Sequence, residues 1–358
     1  MTPPIVHVAS GREWRGGQRQ VWLLARQLGR LGIEQVVVTG GHTELARRLE
    51  ASGVRVRPAS WRLGLDPRVP WPIFDELRNG AILHAHDAHA LSLAALCAAV
   101  TRAPLVVTRR VVFPLRQRFF WRRARRIIAI SNAVRDALLA EGLEAARVTV
   151  IPSAVDLDAL ASAPSVNIRH RLSLPRNGQV AVSLGALTPE KDQLSLVSAA
   201  AQLVRDLPDL HWILVGDGPL RGRLKAEIDR RGLQGRFHLV SHLADPEQAL
   251  AGANVYVLSS TSEGLGSSVL AAMALGIPVV ATRVGGIPDL LGSGRGVMVE
   301  PRDPVALAGA VRRILTDSEL RQEVIRAARE DLGRYSVGAM AERVLSVYRS
   351  CAHSHDGS

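Results

Sequence analysis

The residues of this chain with the clearest chemical potential lie between positions 262 and 288. Glu263 precedes two glycines, and residues 267–275 have the composition of a helix. A glycine-broken loop that leads into a helix presents backbone N–H groups and the positive end of the helix dipole to one place, and both favour an anion. A diphosphate fits such a loop, although an ordinary strand-to-helix turn is the alternative. The loop consists of Gly264, Leu265, Gly266 and Ser267.

A lysine adds a cation to this interpretation. The chain contains two lysines beside 43 arginines, so a lysine kept after a strand-like run attracts attention. Lys191 lies in LGALTPEKDQ, where its ammonium could reach a β-phosphate. A solvated lysine at a helix start is the alternative.

A second glycine turn lies near the N-terminus, in GREWRGGQ. Gly16 and Gly17 would let the backbone approach a ligand closely, and Arg15 adds positive charge. The spacing differs from Gly-x-Gly-x-x-Gly, which argues against a nicotinamide dinucleotide site.

Two groups of residues have the spacing of metal ligands. His84, His86 and His89 lie in LHAHDAH, where His84 and His86 would share a strand face and Asp87 could join them, while burial of His84 in its apolar strand is the alternative. Asp156 and Asp158 spell Asp-x-Asp, a spacing that can hold a divalent metal, but they follow IPSAV in a Pro- and Ser-rich joint. We favour a hinge there, and we expect no metal at either place.

The elements that must position these residues follow from alternating apolar and helical stretches, which predict parallel sheets and an α/β class. A length of 358 residues makes two domains the default. Residues 304–330 and 335–351 are expected to be helical. The expected strands are residues 5–9, 35–39, 81–84, 104–108, 126–130 and 147–151, followed by VAVSLGAL, HWILVGD, FHLVSH, VYVLSS, IPVVAT and GVMVE. Open α/β sheets bind ligands beyond the carboxyl ends of their strands, so two facing sheets predict a site in the cleft between them.

Residues 262–288 resemble the C-terminal domain of retaining, nucleotide-sugar-dependent glycosyltransferases of family 4, also called group 1, which have the two-domain GT-B fold. That family carries a Glu, seven residues, a second Glu, an Ala-rich helix, Gly-x-Pro-Val-Val-Ala-Thr and Gly-Gly-x-x-Glu/Asp. The matching residues here are Glu263, Ala272, Gly276–Thr282, Gly285, Gly286 and Asp289. The second Glu falls at position 271, where this chain has Ala271.

The resemblance implies a metal-independent enzyme, without a cofactor, that moves a sugar from a nucleoside-diphosphate donor to a glycan or lipid-linked acceptor with retained configuration. Glu263 and His86 are the expected catalytic residues, which position the donor sugar. Leu243 occupies the turn that contacts the base. The donor diphosphate is expected to contact Gly16, Gly17, Gly185, Lys191, Gly264, Leu265, Gly266 and Ser267.

The resemblance also implies a domain order and a cellular role. Residues 1–155 form the acceptor-side domain, 156–178 the hinge and 179–333 the donor-side domain. Residues 334–351 form a helix that returns to the first domain, and 352–358 a disordered tail. The implied role is the synthesis of cell-envelope polysaccharide or lipopolysaccharide.

Two departures from the family pattern keep other functions open. Ala271 replaces the Glu that would hold the ribose, and Ala186 stands where an Arg often accompanies the Lys. A non-catalytic protein that binds nucleotide or glycan is therefore an alternative, as is a GT-B sugar-nucleotide epimerase.

Charge and composition limit the partners. The net charge of +12 favours anionic partners.

Residues 109–126 mix arginines with four aromatic side chains. This composition suits an anionic membrane surface, or less well nucleic acid. An Arg-rich surface helix whose aromatic side chains pack in the core is the alternative. Arg109, Arg110 and Arg15 are candidate contacts for an acceptor or its phosphate. Cys97 lies in an apolar helix-like run and is expected to pack in the core, and with only two cysteines no disulfide framework is expected. Without a signal peptide or a long apolar run, we expect a cytoplasmic protein, peripheral on the membrane's inner face.

Overall fold

Parallel sheets form the framework of the two units into which the chain divides. The computed structural model describes residues 2–59, 70–77, 80–162, 168–241, 243 and 246–352. One unit comprises Met1–Ala154 and Arg334–Ser358, and the other comprises Val155–Gly333. Both are α/β units, as the alternation of apolar and helical stretches predicted.

The first unit contains, in its described residues, a seven-stranded parallel sheet with the order β3-β2-β1-β4-β5-β6-β7. Its strands are β1 (Ile5–Val8), β2 (Gln35–Thr39), β3 (Val56–Pro58), β4 (Ile82–Ala85), β5 (Leu105–Arg109), β6 (Arg126–Ala129) and β7 (Val148–Val150). Its helices are α1 (Gly16–Arg30), α2 (Glu44–Ala51), α3 (Pro70–Glu76), α4 (Ala88–Thr101), α5 (Arg118–Arg123) and α6 (Asn132–Ala140). The edge strand β3 was not predicted because only Val56 is partly buried, while Arg57 and Pro58 are exposed.

The second unit contains, in its described residues, a six-stranded parallel sheet with the order β10-β9-β8-β11-β12-β13. Its strands are β8 (Gln179–Leu184), β9 (Leu210–Val215), β10 (Phe237–Val240), β11 (Val255–Leu258), β12 (Val279–Thr282) and β13 (Val297–Val299). Its helices are α7 (Leu157–Ser162), α8 (Ile168–Arg171), α9 (Gln193–Leu203), α10 (Arg221–Arg230), α11 (Ser267–Ala274), α12 (Ile287–Leu291), α13 (Pro304–Thr316) and α14 (Ser318–Asp331). The neighbours β8, β11 and β12 bring three loops together at their carboxyl ends.

The last helix, α15 (Val337–Ala352), belongs to the first unit. Its buried residues Val344 and Tyr348 join a core cluster with Leu24 of α1 and Ile128 of β6. Cys351 lies in the same cluster, and both cysteines are free and buried, as was expected of Cys97. The apolar face of α15 therefore completes the core of a domain from which it is distant in sequence.

The C-terminal helices differ in detail from the prediction. The helical stretch 304–330 is two helices, because Asp317 ends α13 and its carboxylate accepts the N–H of Leu320 to cap α14. The final helix begins at Val337, two residues later than predicted. Residues 352–358 were predicted to be a disordered tail, but Ala352 is the last residue of α15, and residues 353–358 lie outside the described part of the chain. Among the described residues, no helix is long and apolar enough to cross a membrane.

Candidate functional site

In the second unit, an ion pair joins two predicted site residues that lie 72 positions apart in sequence. The Nζ atom of Lys191 donates to Oε1 of Glu263 at 2.5 Å. Lys191 ends a 3₁₀ turn after β8, and Glu263 follows β11, the strand beside β8. Both side chains are largely buried, with 25% and 10% of their surface exposed. Neighbouring parallel strands thus bring the predicted cation and carboxylate into contact.

The described hydrogen bonds to the Glu263 carboxylate both go to one of its oxygens, Oε1. Ser260 also donates to Oε1, at 2.7 Å, whereas Oε2 accepts no hydrogen bond from the described residues. An ammonium with one of its three N–H groups used and a carboxylate with one open oxygen can bind a ligand that carries both an anion and hydroxyl groups. A sugar joined to a diphosphate is such a ligand.

The glycine loop after Glu263 has the conformation that the sequence suggested. Gly266 lies in the left-handed region with φ 95°, and no side chain caps α11, which begins at Ser267. The loop therefore leads to the uncapped positive end of a helix. Leu265 is buried, whereas Ser267 is exposed.

A second glycine turn, at Gly285 and Gly286, packs against the backbone of Glu263. Gly285 has φ 50°, and a Cβ atom there would lie 1.7 Å from the carbonyl oxygen of Glu263. The N–H of Gly286 donates to the same carbonyl at 3.4 Å. Glycine is required at position 285 because the Glu263 backbone fills the space of a side chain.

At the two positions that depart from the family pattern, Ala186 and Ala271 offer a ligand no polar side-chain atom. Ala271 is buried in α11, and the carbonyl of Ala186 accepts a hydrogen bond from Gln193. Ser268, one helical turn before Ala271, accepts a 2.7 Å hydrogen bond from the buried hydroxyl of Tyr256. Burial raises the pKa of Tyr256 above its ordinary value, so this hydroxyl remains a donor.

Gly185 and Leu243 are the other two residues of this unit that were predicted to contact the donor. Gly185 directly follows β8, and a Cβ atom there would lie 3.9 Å from the Lys191 side chain. Leu243 is described and partly buried, but His242, Ala244 and Asp245 lie outside the described residues. Its contact with a base therefore stays a prediction.

In the first unit, the Gly16–Gly17 turn forms the start of α1. Arg15 precedes the helix without a side-chain cap, and its exposed guanidinium pairs with Glu13 at 2.5 Å. Gly17 lies against Arg110, whose Cδ atom would be 3.6 Å from a Cβ atom at Gly17. The turn therefore places an uncapped helix start beside a guanidinium.

The two neighbouring arginines after β5 have different environments. Arg109 is buried and donates to the carbonyls of Val111 and Phe113 at 3.0 and 2.5 Å, while its guanidinium lies over Trp121. This is a structural role in place of the acceptor contact expected from the sequence. Arg110 has a buried Nε atom without a hydrogen bond within the described structure. Burial lowers the pKa of Arg110 to about 10, so the side chain stays charged at neutral pH.

Three buried histidines form a cluster on one face of the first sheet. His7 of β1 lies in register with His84 of β4, and His86 follows two residues later. The Nδ1 atom of His7 and the Nε2 atom of His86 are 2.9 Å apart, and these residues are 79 positions apart in sequence. His7 was missed in the sequence, although a polar residue inside the apolar strand IVHV was the signal.

This cluster differs from the metal site considered from sequence. His89 is exposed, and Asp87 caps α4 and binds Ser10. His7 replaces His89 in the set, with ring nitrogens of the three histidines within 4.8 Å of one another. Both ring nitrogens of His84 already have partners, Tyr348 at 2.6 Å and Thr108 at 2.8 Å. The hydrogen bonds and the nearby Arg110 charge favour a neutral histidine network over a cation site.

We expect this network to make stability depend on pH. Burial lowers the pKa of His7 to about 4, and those of His84 and His86 also lie well below 6.5. As pH falls below 6.5, the unfolded chain takes up protons that the folded cluster excludes. The free energy of unfolding therefore declines by about 1.4 kcal/mol per pH unit for each such histidine. For His7 the loss occurs between pH 6.5 and about 4.

Thermal unfolding at pH 7 and pH 5 measures this effect. The Tm of the His7→Leu variant should fall less between the two pH values than that of the wild type. The exposed His89→Gln variant should follow the wild type. An equal fall in all three proteins would contradict the assignment.

Comparison with known proteins identifies the chain. The family model for glycosyl transferases group 1 matches residues 166–331, and that for glycosyltransferase family 4 matches residues 14–159. The 2-deoxystreptamine glucosyltransferase of Streptomyces kanamyceticus is 31% identical over 264 residues, which cover 69% of this chain and 68% of that protein. The chain belongs to the group 1, family 4 glycosyltransferases.

Other known proteins align with nearly the whole chain. The 2-deoxystreptamine N-acetyl-D-glucosaminyltransferase of Streptomyces fradiae is 28% identical over 93% of this chain and 90% of that protein. Anabaena HepE, solved with UDP and glucose, superposes with a TM-score of 0.86 at 23% identity, covering 97% of this chain and 100% of HepE. The predicted GT-B fold is confirmed, and this family-4 protein is a glycosyltransferase.

Proposed function

We propose that this glycosyltransferase transfers the donor sugar with retained configuration and without a metal ion or cofactor. The observation that carries the proposal is the ion pair of Lys191 and Glu263, which leaves one carboxylate oxygen and part of the ammonium open beside an uncapped helix. Lys191 supplies a positive charge where the diphosphate would leave. The resemblance of the sequence around Glu263 to retaining enzymes of family 4 supports retention.

In the proposed reaction, the bond between the anomeric carbon and the diphosphate oxygen breaks as the acceptor oxygen bonds to the same face of that carbon. The electron pair of the broken bond remains on the diphosphate. Lys191 and the first amides of α11 stabilise this growing charge, which is where preorganised donors contribute most. The departing phosphate oxygen takes the acceptor's proton. Glu263 accepts hydrogen bonds from the sugar hydroxyls.

A donor panel tests this function. We expect one of the UDP-, GDP- and ADP-sugars to bind and to be hydrolysed slowly, and we place UDP-sugars first because Anabaena HepE was solved with UDP. Activity should persist in EDTA, and the anomeric configuration of the product, measured by NMR, should match that of the donor. Inversion, or activity lost with EDTA and restored by a divalent cation, would contradict the proposal.

Two alternatives remain as outcomes of this panel. The buried Ala271 and the apolar Ala186 remove two polar contacts to the donor, which favours a non-catalytic nucleotide-binding or glycan-binding protein as the second candidate. That protein would bind a donor without turnover even when acceptors are supplied. An epimerase would convert the donor sugar without an acceptor.

For the acceptor, we propose an anionic glycan or lipid-linked sugar of the cell envelope, such as a lipopolysaccharide intermediate. Arg110 and the net charge of +12 support an anionic group. The relatives named for 2-deoxystreptamine favour a small cationic acceptor instead. Transfer assays with phosphorylated glycans, lipid-linked sugars and 2-deoxystreptamine decide between the two, and loss of transfer to an anionic acceptor in Arg110→Gln supports the first.

We also propose that the protein works at the cytoplasmic face of the membrane. Phe113 and Phe119 are 53% and 63% exposed, beside several arginines, whereas Trp121 is a core residue. Exposed rings and positive charge suit an anionic lipid surface. We expect sedimentation with vesicles that contain anionic lipid, weakened in the double variant Phe113→Ser, Phe119→Ser. Equal sedimentation with neutral vesicles would contradict this proposal. Tight, salt-sensitive binding of nucleic acid would instead favour nucleic acid as the partner of this surface.

A further inference from the structure

Three consecutive hydroxyl residues, Ser259, Ser260 and Thr261, directly follow the buried strand β11. Ser259 and Ser260 are fully buried, at 1% and 0% exposure. A buried hydroxyl without a partner is costly, so the partners of these two side chains are informative. Both partners belong to the candidate donor site.

The first partner is the turn that carries Lys191. The hydroxyl of Ser259 donates to the carbonyl of Lys191 at 2.9 Å. The backbone N–H of Thr261 donates to the carbonyl of Glu190 at 2.8 Å. The segment therefore holds the backbone beneath the cation at two consecutive residues.

The second partner is the carboxylate of Glu263. Ser260 donates to Oε1 at 2.7 Å, and the carbonyl of Ser260 accepts a 2.5 Å hydrogen bond from Thr282 at the end of β12. The terminal torsion of a glutamate has a broad, roughly twofold preference, so packing alone does not select which oxygen faces a ligand. Two donors on Oε1 select it and leave Oε2 open.

We propose that residues 259–261 are the positioning segment of the donor site, and that Ser260 is the residue that orients Glu263. The inference rests on the proposed function, because it needs a diphosphate that attracts Lys191. Once the ammonium of Lys191 turns toward the phosphates, Ser260 is the remaining side-chain donor to Glu263 among the described residues. Ser260 then keeps Oε2 toward the sugar hydroxyls in the state that reacts.

Loss of the Ser260 hydroxyl is expected to weaken binding and transfer of the sugar while leaving the affinity for the nucleoside diphosphate alone unchanged. In Ser260→Ala, kcat/KM for transfer should fall about 10- to 100-fold, the range for losing one hydrogen bond to a charged group. The Kd of the nucleoside diphosphate alone should stay within about twofold of the wild type, because Lys191 is retained. The Kd of the nucleotide sugar should rise about tenfold.

A binding cycle with Glu263→Ala separates positioning from a merely structural role, and calorimetry can follow it without turnover. If Ser260 acts through Glu263, adding Ser260→Ala to Glu263→Ala should leave the Kd of the nucleotide sugar unchanged. The matched control is Ser183→Ala, a buried serine of β8, which should bind and transfer like the wild type. The Tm of each variant is measured alongside.

Three results would overturn the inference: wild-type kcat/KM in Ser260→Ala, an equal loss of affinity for the diphosphate alone, or an additive effect in the Glu263→Ala background. Failure of the proposed function gives a different result, since transfer and sugar binding would then be unchanged in Glu263→Ala itself.

Discussion

Glu263→Ala is expected to lower the rate of sugar transfer by about a thousandfold while the protein stays folded. Removal of one preorganised polar group from an active site typically lowers kcat by a hundred- to a thousandfold. Glu263 has two roles here, because it is the proposed contact of the sugar and it also pairs with Lys191. The fold should survive because the described contacts of the carboxylate are limited to Lys191 and Ser260. Initial rates with saturating donor and acceptor, together with the Tm, measure both parts of this prediction.

The matched control for this variant is Glu300→Ala. Glu300 belongs to the same unit, but its side chain is 73% exposed and pairs with Arg283 at the surface, where an ion pair contributes little. Its transfer rate should equal that of the wild type. If Glu263→Ala retained wild-type turnover, the assignment of the donor site would be wrong. Glu263→Gln, which keeps the shape of the side chain, should remain impaired because the negative charge beside Lys191 is lost.

Lys191→Ala is expected to weaken binding of the donor and of the free nucleoside diphosphate by a hundredfold or more, and to lower kcat as well. The ammonium is proposed to bind the diphosphate before the reaction and to stabilise its additional charge during the reaction. Lys191→Arg should restore only part of the activity, because the planar guanidinium cannot take the place of a compact ammonium beside Gly185. Calorimetric titration with the diphosphate gives the affinity, and steady-state kinetics gives kcat.

The composition of the chain provides an unusually direct control. Lys225 is the other lysine of the sequence, and it is exposed on α10. Lys225→Ala should bind and transfer like the wild type. A lysine-selective acylating reagent followed by mass spectrometry should show that a nucleoside diphosphate protects Lys191 and leaves Lys225 reactive. Equal labelling of both lysines with and without the nucleotide would refute the proposed role of Lys191.

Much of the fold could be predicted because its signals are local. Buried parallel strands read as short apolar runs, and the predicted runs coincide with most of the observed strands to within a residue or two. Misassignments occurred where the local signal was weak. The partly exposed β3 lacked an apolar run, and the boundary between α13 and α14 depends on Asp317, a single capping residue within a helical pattern.

The candidate site could be predicted only as separate pieces. Loop glycines and an isolated lysine are visible in sequence because they are exceptions to their local surroundings. The supporting residues Ser260 and His7 were missed, since a serine after a strand and a histidine within one are common in ordinary α/β proteins. Arg109 was misassigned for a related reason: the sequence shows a cation after a strand, but not that carbonyls two and four residues later accept its hydrogen bonds.

The sequence by itself determined the α/β class, the family pattern around Glu263 and the importance of Lys191, because composition and spacing carry this information within short segments. Only the tertiary structure decided that Lys191 meets Glu263 across 72 positions, that Ser260 holds one carboxylate oxygen, and that His7 pairs with His86 across 79 positions. These contacts depend on which strands are neighbours and on their register. A shift of one residue would turn each strand side chain to the opposite face, so strand order and register, set by the packing of the whole sheet, decide which side chains meet.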